Sequence, residues 1–316
     1  MKSMLLLKKP PGPQTADIDD FLPTTMDLDE INPTNFETLD PRIKEALARN
    51  AKIPTYSTTT HPLGPITLHT TEEVTYWAKR NYIKPQNEAR AEEIIQEWVE
   101  QQIAEEVTSA KARFALLAVP KTDDFGKQTD IRLCIDMSPG NKYIVVDKYP
   151  LPTLAEILAV PMKKRGPGTR RSKIDLTGAF HRIEIIDSWV HFMFKGKLYR
   201  VNHGFFGVNI LPSHFQRVSD AVARECSFLC RVYLDDAFNE GGTPEEDILQ
   251  CVELIDRYTF YKLIINQKKS YFGQFELPAL GYIAGGNGKR MNPAKCAAIM
   301  NWQPPTTGIE MMHVEK

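Results

Sequence analysis

The sequence predicts an α+β protein, a layer of antiparallel sheet backed by helices. Three observations carry this. Strand-forming runs come in pairs across short polar or glycine turns, at 114–135, around Lys195-Gly-Lys197 and around Tyr233-Leu-Asp-Asp236. Stretches beginning at Glu88, Pro212 and Pro244 repeat apolar residues at the 3.6-residue period of a helix face. Strands and helices do not alternate in a steady βαβ rhythm, which argues against a parallel sheet.

Residues 1–60 are rich in Pro, Thr and Asp with weak periodicity, and read as a flexible acidic leader. From Glu88 a helix is expected with Ile94, Ile95, Trp98, Val99, Ile103 and Val107 along one face. Phe114–Val119 and Ile131–Ile135 then form a hairpin across Lys121-Thr-Asp-Asp-Phe-Gly-Lys127. After Tyr149-Pro-Leu-Pro152 come a short helix, a Gly/Pro/Arg loop at 165–171 and a strand running into Asp175. A second hairpin turns at Lys195-Gly-Lys197. The helix at Pro212 buries Phe215, Val218 and Val222, with the proline in a first turn whose N–H would be unpaired anyway. A third hairpin carries Asp235 and Asp236. The helix from Pro244 to about Lys262 follows, with Ile248, Cys251, Val252, Ile255 and Tyr258 inward, and short strands are expected near Ile264 and Leu280.

Composition limits the function classes. No apolar run approaches the length of a bilayer span, and Leu5-Leu-Leu7 is too short for the core of a signal peptide. An intracellular, cytoplasmic protein without a membrane partner is expected. The five cysteines (134, 226, 230, 251, 296) show no Cys-x-x-Cys pairing and read as reduced, buried thiols, with Cys226 and Cys230 on one helix face. The net charge of −1 argues against a nucleic-acid partner until its distribution is considered. Residues 10–41 carry eight acids and no Lys or Arg, which leaves +7 on the rest. Between Lys163 and Arg200, ten cations face three acids, a charge suited to phosphate backbones and equally to a solvated face.

The most informative residues are three aspartates. Asp235 and Asp236 are adjacent, so on a straight strand they would point to opposite faces; a hairpin tip lets both serve one site. Asp175, at the end of an upstream strand, would complete an oxygen cage suited to magnesium. Paired aspartates are also ordinary solvated turn residues, so the pair alone leaves both readings open.

The neighbouring motifs narrow the choice. Arg132-Leu-Cys-Ile-Asp-Met-Ser-Pro-Gly-Asn-Lys142, Ser172-Lys-Ile-Asp-Leu-Thr-Gly-Ala-Phe-His181, Phe206-Gly-Val-Asn-Ile-Leu-Pro-Ser-His-Phe-Gln216, Tyr233-Leu-Asp-Asp236 and Leu280-Gly-Tyr282 occur in this order. Together they resemble the reverse transcriptase of gypsy-class long-terminal-repeat retrotransposons, over about residues 61–307. The resemblance implies the right-hand polymerase fold, with fingers at 61–149 and 183–211, palm at 150–182 and 212–285, and a truncated thumb or connection at 286–316. It implies RNA-directed DNA polymerase activity on an RNA or DNA template-primer with dNTPs, in the cytoplasm, retroelement particles or the nucleus. Asp175, Asp235 and Asp236 would be catalytic and would hold two Mg2+ ions, or Mn2+ in their place, with the Leu176 backbone as a further ligand. Lys121, Arg132, Gly178, Ala179, Phe180, Phe206 and Gly207 would bind the nucleotide, with Phe180 excluding a ribose hydroxyl. Leu280, Gly281 and Tyr282 would grip the primer, and Lys268 or Lys269 would be the general acid.

Departures from the family pattern keep two alternatives in play. Met137 and Ser138 replace a tyrosine and an arginine, Thr169-Arg-Arg171 replaces an apolar pair, and His203-Gly-Phe-Phe206 replaces an apolar-Met-Pro-Phe run. A catalytically inactive remnant that only binds nucleic acid is one alternative. An RNA-dependent RNA polymerase is the other, disfavoured by Phe180 and Leu234.

Overall fold

The computed structural model describes residues 36–122, 128–159, 166–286 and 288–292. The first thirty-five residues of the expected leader, the loop 123–127, Cys296 and the chain beyond Asn292 lie outside the described residues.

Helix α1 (Pro41–Asn50) starts at Asp40, whose carboxylate accepts the Arg42 N–H at 2.9 Å. Strand β1 (Ile66–Thr67) and helix α2 (Glu88–Glu100) follow, then β2 (Ala104–Val107), β3 (Leu116–Thr122) and β4 (Gln128–Ile135). Two short helices, α3 (Ser138–Asn141) and α4 (Leu154–Ala159), lead to β5 (Arg170–Asp175). Next come β6 (Ile185–Ile186), β7 (His191–Phe194), β8 (Lys197–Val201) and helix α5 (Leu211–Arg224). The remainder is β9 (Arg231–Tyr233), β10 (Asp236–Gly241), α6 (Pro244–Phe260), β11 (Tyr271–Gln274), β12 (Glu276–Ala279), β13 (Tyr282–Gly285) and β14 (Gly288–Met291).

The central sheet is antiparallel throughout, in the order β11-β5-β10-β9. Helices α5 and α6 back it, as the apolar stripes require: Phe215, Val218, Val222, Cys251, Leu254, Ile255 and Tyr258 join Ile174, Val232 and Ala237 in one buried core. Directly opposed residues of an antiparallel pair share a face. On the helix side Ser172 therefore stands across from Asn239. Both side chains donate to Asp247 of α6, at 2.8 and 3.0 Å, and Asp247 is 1% exposed. On the other face Arg171 meets Glu240 in a buried ion pair of 2.8 Å, and Phe238 packs with Ile157 and Leu158 of α4 and with Leu277 and Ala284. At the Asp175 end that face is less covered: Asp236 is part-exposed and Asp235, at the turn beyond, is exposed.

Four expectations need correction. Residues 36–60 do not behave as a loose leader. Helix α1 buries Ile43, Ala46 and Leu47 and is tied to α6 by Arg42–Glu245 and Arg49–Asp256. Its last residue, Asn50, accepts the Ile265 N–H and donates to Leu263 O. Second, α2 ends at Glu100. Gln102 adopts φ +59°, and Ala104–Val107 pairs with β8, so inter-strand pairing overrides the helical spacing of Ile103 and Val107. Third, α5 ends at Arg224, so Cys226 and Cys230 lie beyond it and share no helix face. Fourth, Ile265 makes only an isolated bridge to Leu176, and the regular strands come later, as β11 to β14. The 114–135 and 191–201 hairpins form as expected, the second through Lys195 and Gly196, both at positive φ as a type I′ turn requires. Among the described residues no helix is long and apolar enough to cross a membrane, and Cys134, Cys226, Cys230 and Cys251 are free thiols.

Asp247→Ala leaves the Ser172 hydroxyl without its buried acceptor and reduces the Asn239 amide to its bond with Gln250 Oε1 and its contact with Cys251 Sγ. We expect a loss of ~2–4 kcal/mol, read as a lower urea midpoint at unchanged slope.

Candidate active site

Asp175 is the last residue of β5 and stands directly across the ladder from Asp236, the first residue of β10, so both carboxylates lie on the face opposite α6. Asp235 occupies the turn between β9 and β10, and its carbonyl accepts the Leu176 N–H at 2.9 Å. The three aspartates converge at one end of the sheet.

The turn itself is strained. Leu234 has φ +53°, a conformation a branched, non-glycine residue adopts at a cost of about 1–2 kcal/mol. Helix α5 holds it there. The wholly buried Gln216 accepts the Leu234 N–H at 2.8 Å and donates to Val232 O at 2.9 Å, and Ser219 donates to Leu234 O at 3.1 Å. Sequence reasoning quoted Gln216 within a motif and gave it no role. A glutamine between the inward Phe215 and Val218 was the available signal.

Asp175 is 8% exposed, and burial together with the Asp236 and Asp235 charges raises its pKa to about 6, against the pull of Lys269 and Lys173. Burial likewise raises Asp236, opposed by the Lys173 ammonium 2.9 Å away. The Asp175 N–H donates to Ser270 Oγ at 3.1 Å, and its carbonyl accepts from Asn266 at 2.8 Å. Among the described residues no group of three or more His, Cys, Asp or Glu side chains could by itself hold a metal ion, and Lys173 occupies one Asp236 oxygen. Magnesium is commonly held by one or two carboxylates with water and substrate phosphates completing its shell. A carboxylate pair under mutual repulsion, with Asp236 still part-exposed, fits that demand.

The other expected residues lie on separate elements. Lys121 and Arg132 share one face of the β3–β4 hairpin, since Lys121 opposes Asp130 and Arg132 opposes Val119; Arg90 engages the Asp130 carboxylate. Gly178, Ala179 and Phe180 follow Asp175 after Leu176 and Thr177, and the Phe180 ring packs edge-on against Phe206 and Phe215, at 5.5 and 6.0 Å. Gly207 lies against the end of β4, where a Cβ would stand 2.3 Å from Ile135 O, so only glycine fits. Leu280 and Gly281, both at positive φ, form the β12–β13 turn that leads into Tyr282. Lys268 and Lys269 are exposed on a short 3-10 turn, and Lys269 is the one near enough for its charge to act on Asp175 and Asp236.

No family model matches the chain. In sequence it is similar to the retrovirus-related Pol polyprotein from transposon 297 of Drosophila melanogaster, 27% identical over 248 residues, which cover 77% of this chain and 23% of that polyprotein. It is also similar to the transposon Tf2-3 polyprotein of Schizosaccharomyces pombe, 27% identical over 206 residues, 62% of this chain and 14% of that one. The chain thus spans less than a quarter of the length of these relatives. In structure it matches the foamy viral protease-reverse transcriptase dRH in complex with double-stranded DNA, with TM-score 0.75 at 18% identity, over 94% of this chain and 54% of that one. The foamy viral protease-reverse transcriptase in complex with an RNA/DNA hybrid gives TM-score 0.74 at 17% identity, over 88% and 37%. These likenesses show the fold: it is that of a reverse transcriptase, the right-hand α+β architecture expected from the motifs. The resemblance to retrotransposon Pol polyproteins is borne out as well.

Asp236→Asn removes a negative charge facing Asp175. The Asp175 pKa should fall from about 6 toward the ordinary carboxylate range, as a carboxyl-carbon NMR titration would record; an unmoved pKa would separate the two groups.

Proposed function

We propose that the chain is the polymerase segment of a long-terminal-repeat retrotransposon reverse transcriptase, extending a primer 3′-hydroxyl with deoxynucleotides on an RNA or DNA template. The observation that carries this reading is Asp175 directly opposite Asp236 with Asp235 at the adjoining turn, on the face of the sheet opposite α6. Retrotransposon relatives and a reverse transcriptase fold around that site support it.

Two magnesium ions, with manganese as a substitute, would be held by Asp175 and Asp235 with Asp236 and the Leu176 backbone beside them, supplying a primer hydroxyl of lowered pKa and charge neutralisation at the triphosphate. The chain's own groups do the rest. Lys121 offers the phosphates a point charge and Arg132 a forked donor pair. Gly178 and Ala179 bring bare backbone to the nucleotide, and Gly207 keeps the floor beside Phe206 free of a side chain. Phe180, wedged against Phe206 and Phe215, has little room to move away from a ribose hydroxyl, which makes the exclusion steric. Lys269, whose charge acts on Asp175 and Asp236, or Lys268 next to it, would give a proton to departing pyrophosphate. Leu280, Gly281 and Tyr282 orient the primer end. The reading entails an intracellular setting, in the cytoplasm, retroelement particles or the nucleus.

One observation favours a second reading, a remnant that binds nucleic acid without polymerising: Lys173 engages the carboxylate of Asp236. Extension of a DNA primer on poly(rA) with magnesium or manganese separates the two. Incorporation of dTTP supports the polymerase, binding without incorporation supports the remnant, and use of UTP would indicate an RNA polymerase.

Asp235→Ala should abolish primer extension, by roughly a thousandfold or more, with the melting temperature retained; near-normal activity would refute the assignment. Phe180→Ala should lower the preference for dTTP over UTP by about tenfold or more in single-nucleotide incorporation. Unchanged selectivity would make Phe180 a packing residue.

A further inference from the structure

Arg182 ends the short turn that follows Phe180, and it is 5% exposed. Its Nη1 donates to Ser57 O at 2.7 Å, while among the described residues Nε has no partner. Burial lowers its pKa, and among the described residues no carboxylate opposes the shift. A guanidinium taken from water without a counter-charge is strongly unfavourable, and such groups persist where an anion completes them. The neighbouring His181 does not supply one. Burial pushes its pKa down to about 4, so the ring is neutral at physiological pH, and its Nδ1 is also unpartnered.

The guanidinium points toward the nucleotide loop. Gly178 is exposed, with φ +59°, and carries no side chain. A Cβ placed there would stand 3.9 Å from Arg182 Nη2 and 3.8 Å from His181 Cδ2, so the space left by the glycine borders the buried cation. A side chain at 178 would close that approach.

We propose that Arg182 is a phosphate-binding residue, which takes an oxygen of the incoming nucleotide's triphosphate through the gap at Gly178. The inference rests on the polymerase reading given above. It adds a palm-side cation to Lys121 and Arg132 of the β3–β4 hairpin, so the triphosphate is held from both sides. Bidentate donors such as guanidinium are suited to phosphate oxygens, and a lysine at this position would keep the charge and lose the fork.

The test uses the full chain and the variants Arg182→Met, which keeps the side-chain bulk, and Arg182→Lys. For Arg182→Met we expect the KM for dTTP to rise about tenfold, with kcat within about threefold and primer-template affinity unchanged. The inhibition constant of inorganic tripolyphosphate should rise in parallel, and Arg182→Lys should recover part of both. A lowered melting temperature with unchanged KM and unchanged tripolyphosphate inhibition would make Arg182 a structural residue and overturn the proposal. If wild type extends no primer, the polymerase reading falls by itself. The subsite is then judged by calorimetry with tripolyphosphate: binding by wild type that Arg182→Met abolishes upholds it, and equal or absent binding overturns it.

Discussion

The register between β5 and β10 is the constraint on which the molecule depends. Side chains alternate along a strand, so a single pairing fixes both faces of the sheet at once. With Asp175 opposite Asp236, Ser172 and Asn239 necessarily face α6, where Asp247 accepts from both. A slip of one residue would turn this buried pair outward and send the aspartates into the helix layer. The Asp247 network therefore acts as a lock on the spacing of the carboxylates, from the helix-covered side of the sheet. It also sets the orientation of α6, whose first turn supplies that acceptor.

A second restraint acts from α5. The chain reverses at Leu234 in a conformation that a leucine resists, and Gln216 and Ser219 hold its backbone from a rigid helix. Buried donors and acceptors that are fully matched specify one arrangement, because every alternative leaves one of them unpaired. Electrostatic repulsion between Asp175 and Asp236 works against this scaffold. Packing and hydrogen bonding built elsewhere keep the two carboxylates together, while Lys173 and Lys269 temper their charge.

Much of this was legible in the sequence because it is local. The stripes of α5 and α6 and the hairpin turns at Lys195-Gly196 and Leu234-Asp235 follow from periodicity and turn chemistry within a few residues. The grouping of Asp175 with the distant aspartate pair was suggested by carboxylate chemistry and carried by the family resemblance, since no local rule brings separated strands together. What escaped has a common cause. Strand β2 exists because β8 pairs with it, α1 is ordered because α6 offers a surface, and the Lys173–Asp236 and Ser172–Asp247 contacts depend on which strands are neighbours. Arg182 resembled any exposed cation until its burial was seen.

The tie made by Asn50 bears on where the folding unit begins. Its amide oxygen accepts from Ile265, its amide nitrogen donates to Leu263 O, and Ile265 in turn bridges to Leu176 beside Asp175. A shortened chain starting at residue 61, the fingers boundary drawn from sequence, would strip a polar clasp from the underside of the loop after Asp175 and uncover apolar surface on α6. For recombinant work, trimming should stop before Asp40.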